Sequence, residues 1–168
     1  MPRLPFTAPN LLAPMEGVTD PLFRQLVLEL HEPKDLGGTF TEFLRISHQA
    51  RTRRTVLQHL GTQGPIPVGL QLMGRKSDAL LETARTAVAA GVQLIDLNFG
   101  CPAKGALKGC AGAAMMDDPR GLEDVVQSIH DTVGSEIPVT AKLRAGGDDD
   151  SLLEDLVRAA CAGGAAMV

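Results

Sequence analysis

The chain gathers its apolar residues into six short runs, and longer segments of mixed polarity separate them. The runs begin at positions 11, 38, 67, 94, 138 and 165, so successive starts lie 27, 29, 27, 44 and 27 residues apart. An interval of about 27 residues has room for one strand, one helix and two loops. The pattern therefore predicts strands and helices that alternate around a parallel sheet. The predicted strands are Leu11–Met15, Gly38–Phe43, Pro67–Met73, Leu94–Phe99, Pro138–Arg144 and Ala165–Val168.

The segments between the runs carry helix signals. Asp20-Pro21 and Asp118-Pro119 each place a capping carboxylate before a proline, which favours the first turn of a helix. The second of these helices is expected to end at Gly134. The segment Ser151–Glu154 has the spacing of a capping box and predicts the start of a further helix. A weaker, arginine-rich helix is expected between Ser47 and Leu60.

The near-constant interval favours a parallel (βα)8 barrel of the TIM-barrel type over an open, doubly wound sheet. The runs reach only the start of a sixth strand, however. We therefore expect residues 1–168 to be the N-terminal part of a barrel, truncated after about five βα units. Such a chain has unpaired strand edges and is expected to be only marginally stable. The alternative is a six-stranded open sheet that closes through a partner.

Composition narrows the class of protein. Lys and Arg number 16 against 20 Asp and Glu, a net charge of −4, which argues against a surface that is basic throughout. The absence of Trp and Tyr excludes a platform of aromatic residues for base stacking. The three cysteines form no CxxC pair, so we expect neither a metal site nor a disulfide framework. No signal segment or membrane span is recognisable, and the expected location is the cytoplasm; the sequence does not predict the oligomeric state.

The interval of 44 residues places a long insertion, residues 100–116, after the fourth strand. Loops that follow the carboxyl ends of barrel strands carry catalytic residues. Cys101 lies there between a glycine and a proline, and its side chain is expected at the rim of the barrel. A cysteine is mostly protonated at pH 7 and can donate a proton as well as act as a nucleophile. A lone cysteine is more often a small buried hydrophobe, which is the interpretation adopted for Cys110 and Cys161.

Polar residues interrupt the predicted strands. Strand alternation puts Asp96 and Asn98 on the face opposite to their apolar neighbours, where polar groups are costly unless they bind something. Thr140, Lys142 and Arg144 share one side of the fifth strand, and Gln71 is the matching polar residue of the third. Lys142 is either solvated at the strand end or placed beside an anionic cofactor ring.

Four segments occur together and in order: APMEGVTD from residue 13, QLMG from residue 71, DLNFGCPAK from residue 96 and KLR from residue 142. The set resembles the tRNA-dihydrouridine synthases, flavoenzymes in which a barrel that holds FMN is followed by a helical domain that grips tRNA. The segment Thr41–Arg45 also resembles the bacterial branch that modifies uridine 16 of the tRNA D-loop. The resemblance covers the whole chain but only about the first half of a family member, so independent activity of this chain is not expected.

The resemblance implies a reaction and the residues that serve it. NADPH would reduce FMN, a hydride would pass from flavin N5 to uracil C6, and a cysteine would protonate C5 of a base taken out of its stack. Cys101 matches that proton donor, Asn98 matches a residue that faces the uracil, and Arg144 is assigned to the substrate side. The positions that match flavin-binding residues are Pro14, Met15, Glu16, Gln71 and Lys142.

Two other functions stay open. One is an FMN barrel similar to dihydroorotate dehydrogenase, with a free pyrimidine as its substrate. The segments Gly100–Lys104 and Thr41–Phe43 argue against it. The other is a non-catalytic remnant or assembly module that folds only with a partner. A bound flavin, visible by its absorption band, would separate both enzymes from the remnant.

Overall fold

The structure is a computed structural model and describes residues 3–103, 111–135, 137–145 and 149–168. Over these residues, short strands alternate with α-helices, as the sequence predicts. The strands are β1 (Leu11–Leu12), β2 (Gly38–Phe40), β3 (Leu44–Arg45), β4 (Val68–Met73), β5 (Ile95–Asn98) and β6 (Val139–Lys142). The helices are α1 (Pro21–Glu29), α2 (Arg53–Leu60), α3 (Asp78–Ala89), α4 (Pro119–Val133) and α5 (Leu153–Ala162), with a short 3₁₀ helix at Gly112–Met115.

The strands form one parallel sheet that curls into a half-barrel. The order of the strands is β1-β2-β4-β5-β6. Strand β2 pairs with the beginning of β4, and the short strand β3 pairs with the end of β4 on the same side. The register sets Gln71 opposite Asp96 and Asp96 opposite Thr140. Met167 forms a parallel bridge with Thr140, so a further strand begins beside β6. The predicted barrel type, present in part, is confirmed.

The outer core lies between the sheet and its helices. Helix α4 illustrates how the sequence pattern forms this core, because its buried residues recur at helical spacing and belong to one hydrophobic cluster with residues of the strands and neighbouring helices. These residues are Leu122, Val125, Val126, Ile129 and Val133. Both predicted aspartate caps are confirmed: a carboxylate oxygen of Asp20 accepts a hydrogen bond from the Phe23 N–H (2.8 Å), and one of Asp118 accepts from the Gly121 N–H (3.0 Å). Helix α4 ends at Gly134 as expected.

All of the predicted strands are shorter in the structure, and in the first two a side chain binds backbone groups where the strand stops. The first ends at Leu12, since the Met15 N–H donates to the Thr19 hydroxyl (2.9 Å) and its carbonyl accepts the Thr19 N–H (3.0 Å), which starts a turn. The second is split into β2 and β3. Between them the Glu42 carboxylate accepts from the Gly17 N–H (2.8 Å), and the Glu42 carbonyl is 2.8 Å from His59 Nε2.

Two further expectations were wrong, and one predicted helix is present but shorter than expected. The capping box is not formed: α5 begins at Leu153, and the Ser151 hydroxyl donates to Asp149 (2.7 Å). The arginine-rich helix begins only at Arg53, where Thr52 caps it. Cys161 is exposed rather than buried, because it lies on the face of α5 opposite the buried stripe of that helix. Cys110 and the rest of residues 104–110 lie outside the described residues.

Arg24 joins α1 to the carboxyl end of α2. Its guanidinium is 1% exposed and donates to three backbone carbonyls, those of Thr19 (2.5 Å), His59 (2.6 Å) and Leu60 (2.7 Å). The last two belong to the final turn of α2, where carbonyls lack partners within the helix. Arg24 therefore satisfies that helix end and holds it against the loop that precedes α1.

We expect Arg24→Ala to lower the free energy of unfolding by about 3 kcal/mol, because it leaves three buried carbonyls without their charged donor. Arg24→Lys should recover only part of this loss, since an ammonium lacks the planar fork of a guanidinium. Arg85→Ala is the control: Arg85 is exposed and pairs only with Glu82 on the surface of α3, so its loss should cost less than about 1 kcal/mol. Urea denaturation measures all three, and equal effects of Arg24→Ala and Arg85→Ala would contradict the assignment.

Candidate active site

Polar side chains from three neighbouring strands meet inside the half-barrel, near the carboxyl ends of those strands. Asp96 on β5 is at the centre, with Gln71 of β4 on one side and Thr140 of β6 on the other. The Gln71 Nε2 donates to Asp96 Oδ2 (2.6 Å), and the Thr140 hydroxyl donates to Asp96 Oδ1 (2.5 Å). All three side chains are at most 3% exposed. Because parallel strands in register present the same face, residues distant in sequence form one buried cluster.

The electrostatics of the cluster are dominated by the burial of Asp96. Burial raises the pKa of this carboxyl to about 6, because a charged group loses solvation in the interior. The hydrogen bonds from Thr140 and Gln71 and the positive charge of Lys142 act in the opposite direction. The carboxyl is therefore ionised at neutral pH, but it changes charge in the mildly acidic range.

The cluster continues into the segment that carries Cys101. The Asn98 Nδ2 donates to Gln71 Oε1 (2.9 Å), and Asn98 Oδ1 accepts from the backbone N–H groups of Gly100 and Cys101 (both 3.0 Å). On the other side, the Cys101 carbonyl accepts the Ala113 N–H (3.0 Å). The backbone of Cys101 is thus held from both directions.

The thiol of Cys101 lies at the carboxyl end of β5, as predicted, but Cys101 is buried (9% exposed). It packs with Met73 and Ala111, and the partly buried Phe43 lies against them. Gly112 makes this packing possible. Its φ is +62°, and a Cβ there would stand 2.8 Å from the Cys101 carbonyl oxygen and 3.2 Å from its Cβ.

The first-strand segment approaches the cluster through a cavity of about 380 Å³. Its lining includes Pro14, Phe40, Asp96, Lys142 and Met167, so it brings the predicted residues Pro14 and Lys142 beside the buried carboxylate. Lys142 is exposed at the end of β6. The predicted residues Met15 and Glu16 are exposed as well, and neither is among the described residues that line this cavity.

Arg144 lies apart from Lys142. It lines a second cavity of about 330 Å³ together with Asp117, Asp149 and Leu152. The aliphatic part of its side chain lies close to Gly100, in the loop that carries Cys101. Arg144 Cγ is 2.9 Å from the position that a Cβ on Gly100 would occupy. The structure therefore places Arg144 next to this loop and in a separate cavity, rather than in the polar cluster.

Two residues of the cluster have no role predicted from the sequence. Thr140 is predicted only to be a polar residue on an inward face, and Thr41 is only part of a motif. The Thr41 hydroxyl accepts the backbone N–H of Gln71 (3.0 Å) and is buried. Thr140 stands at an inward position of β6, and Thr41 directly follows β2. The polar alternation of the predicted strands was the signal available for them.

The fold and the cluster define a parallel α/β half-barrel with a cysteine-bearing loop at the carboxyl end of its strands. The family model for dihydrouridine synthases matches residues 11–168. This chain belongs to the dihydrouridine synthase family.

Individual relatives agree with the family match. A protein of Vibrio parahaemolyticus named tRNA-dihydrouridine(16) synthase is 36% identical over 162 residues, 92% of this chain and 49% of that protein. A protein of the same name from Aquipseudomonas alcaligenes is 35% identical, over 94% of this chain and 51% of that protein. A tRNA-dihydrouridine synthase B of Pseudomonas syringae is 35% identical, over 88% and 43% respectively. The chain spans about half the length of the curated relatives it matches.

The described residues contain neither a helix that could span a membrane nor a cluster of metal-binding side chains. None of their helices is long and apolar enough to cross a membrane. Their His, Cys, Asp and Glu side chains include no group of three or more that could hold a metal ion.

We expect the folded state to lose stability as pH rises from about 4 to about 7 through the titration of Asp96. Its pKa is higher in the folded chain (about 6) than in the unfolded chain (3.8), so the folded state keeps its proton longer. The contribution is fully present below pH 4 and amounts to about 3 kcal/mol.

The measurement is urea denaturation between pH 4 and 8, with Asp96→Asn as the variant that removes the titration. The difference in free energy of unfolding between wild type and variant should change with pH over this range. A difference for Asp96→Asn that is constant over this range would show that its pKa is not raised.

Proposed function

We propose that the protein is the N-terminal part of an FMN-dependent enzyme that reduces uridine in the tRNA D-loop to 5,6-dihydrouridine, with NADPH as the reductant and the cytoplasm as its location. The observation that carries the proposal is the meeting of Lys142, Asp96, Gln71, Asn98 and Cys101 at one end of the half-barrel in a chain of this family. The part that the relatives have beyond the match would complete the barrel and provide the helical domain that grips tRNA.

The residues of the 380 Å³ cavity suit a flavin ring. Ala13, Pro14 and Met167 offer an apolar surface for a flat ring system, and Lys142 brings a cation to its edge. When bound, FMN supplies the hydride that adds to C6 of the uracil. Lys142 would stabilise negative charge on the ring, as a preorganised electrostatic contact does.

Gln71 has a different position from that expected of a residue exposed to a ligand. It is 1% exposed, and its amide contacts Asp96 and Asn98. Gln71 is not among the described residues that line the cavity. Its direct contact with the ring therefore stays a prediction, and the contacts present support the site through Asp96 and Asn98.

Cys101 would donate the proton that C5 requires as hydride arrives at C6. Its backbone is held on both sides, and its thiol is shielded from solvent by Met73 and Ala111. Asn98 lies beside it, partly buried, and keeps one amide N–H that no described residue accepts, with which it could bind a uracil carbonyl. A base must leave its stack to reach these groups.

Uridine 16 is the proposed target within the D-loop. The segment Thr41–Arg45 resembles the branch that acts there, and the relatives from Vibrio and Aquipseudomonas carry that position in their names. A free pyrimidine as the substrate has no comparable support.

The role of Lys142 can be tested in a chimera that joins this chain to the second half of the Vibrio relative. We expect Lys142→Ala to weaken FMN binding or make the flavin harder to reduce, by about 2–4 kcal/mol in total, because the reduced ring loses its cation. Lys34→Ala, an exposed lysine paired with Glu32 and distant from the cluster, is the control and should change neither. Flavin content and reduction potential are the two measurements. Unchanged values in Lys142→Ala would remove Lys142 from the site.

Cys101→Ala in the same chimera tests the proton donor. The variant should retain FMN and be reduced by NADPH at the normal rate, because neither step uses the thiol. Reoxidation by tRNA should slow by about 10²–10⁴-fold, the usual contribution of a general acid. The exposed Cys161 supplies the control variant Cys161→Ala, for which all three measurements should match wild type.

A structural role of Cys101 predicts the opposite result. A buried cysteine that only packs would, when replaced, lose stability and flavin together and leave the rate per bound flavin nearly unchanged. Normal reoxidation by tRNA in Cys101→Ala would therefore overturn the assignment.

A further inference from the structure

We propose that Asp96 is a positioning residue: its carboxylate sets the orientation of the side-chain amides of Gln71 and Asn98, and through them it holds the backbone that carries Cys101. The role of Cys101 itself rests on the proposed function. The hydrogen-bond chain that positions it does not, and it can be tested separately.

The carboxylate of Asp96 determines which partner donates and which accepts along this chain of hydrogen bonds. An ionised carboxylate has only acceptor atoms, so any partner must turn a donor toward it. Gln71 therefore directs Nε2 to Asp96 at 2.6 Å, and Thr140 directs its hydroxyl hydrogen there at 2.5 Å. Asp96 is 3% exposed, so the protein provides nearly all of its surroundings.

The orientation of each amide determines whether it offers its oxygen or its NH₂ group to the next residue. With its nitrogen toward Asp96, Gln71 presents Oε1 to Asn98, whose Nδ2 donates to it at 2.9 Å. Asn98 must then present Oδ1 on its other side. That oxygen accepts the backbone N–H groups of Gly100 and Cys101, both at 3.0 Å.

Shape alone cannot select this arrangement. The oxygen and nitrogen ends of an amide are almost the same size, so a flipped amide fills the same space. A flipped Gln71 would face Asp96 with an oxygen, and a flipped Asn98 would face two N–H donors with an NH₂ group. The charge of Asp96 excludes both flips, and it is the one ionisable group in direct hydrogen-bond contact with either amide among the described residues.

A specific test is to exchange the carboxylate of Asp96 with the amide of Gln71. In Asp96→Asn the direction of the chain is no longer imposed, because the new amide can turn either its oxygen or its NH₂ group toward Gln71. When the oxygen faces Gln71, the Thr140 hydroxyl must accept from the NH₂ group, and its own hydrogen loses the acceptor that Asp96 provides. The double variant Asp96→Asn/Gln71→Glu moves the carboxylate one group along the hydrogen-bond chain, from position 96 to position 71. The amide at position 96 then donates to this carboxylate and accepts from the Thr140 hydroxyl. The Asn98 amide still donates to position 71. The single variant should lose the orientation of Asn98, and the double variant should restore it.

The readout is hydrogen exchange of the Gly100 and Cys101 backbone amides, measured by ¹⁵N NMR on this 168-residue chain at pH 8 without flavin or tRNA. Burial raises the pKa of Asp96 only to about 6, so its carboxylate is ionised there. We expect exchange to become at least tenfold faster in Asp96→Asn and to return to within threefold of wild type in the double variant. Thr140→Val is the matched control, because it removes one donor to Asp96 and leaves both amide orientations in place, so exchange should stay within threefold.

Protected amides in a folded Asp96→Asn variant would overturn the proposal, and so would a folded double variant in which they remain unprotected. If Asp96→Asn alone does not fold, the double variant decides, since only an orientation role predicts its recovery. These results are independent of the proposed function. Unchanged tRNA-dependent reoxidation in Cys101→Ala would overturn that function and leave the exchange pattern as it is.

Discussion

A carboxylate that is almost excluded from solvent is tolerated only when donors surround it, and the inner face of this half-barrel is built around one such group. Asp96 receives one donor from β4 and one from β6, the strands on either side of its own. The arrangement depends on register, because a shift of one residue would turn each of these side chains to the opposite face of the sheet. Burial raises the pKa of Asp96 to about 6, because the two donors replace only part of the solvation that the carboxylate would have in water.

The same network links the strands to the loop in which the chemistry is proposed. Asn98 is the last residue of β5, and its side chain accepts from the loop backbone while donating to Gln71 on β4. Opposite it, Gly112 permits a close approach that the Cβ of any other residue would obstruct. Cys101 therefore has a defined backbone position and a shielded thiol, conditions that serve a proton donor better than an exposed side chain would.

A second polar centre organises the early part of the chain. Arg24 binds the carbonyls of Thr19, His59 and Leu60, while Glu42 accepts from Gly17 and contacts His59. These contacts join the segment after β1 to the one between β2 and β3. The first-strand segment that lines the cavity is thus supported by interactions that involve no predicted site residue.

The sequence by itself determined the alternation of strands and helices, the aspartate caps and the set of motifs that places the chain in its family. Each of these depends on residues close together along the chain or on their periodicity. It also indicated that Asp96, Asn98 and Gln71 face inward. Only the tertiary structure decided that Gln71 contacts Asp96 rather than opening to the cavity, that Arg144 lies in a separate cavity, and that Cys161 is exposed. Those outcomes depend on register between strands and on which helix face meets the core, and both are settled by contacts between residues distant in sequence.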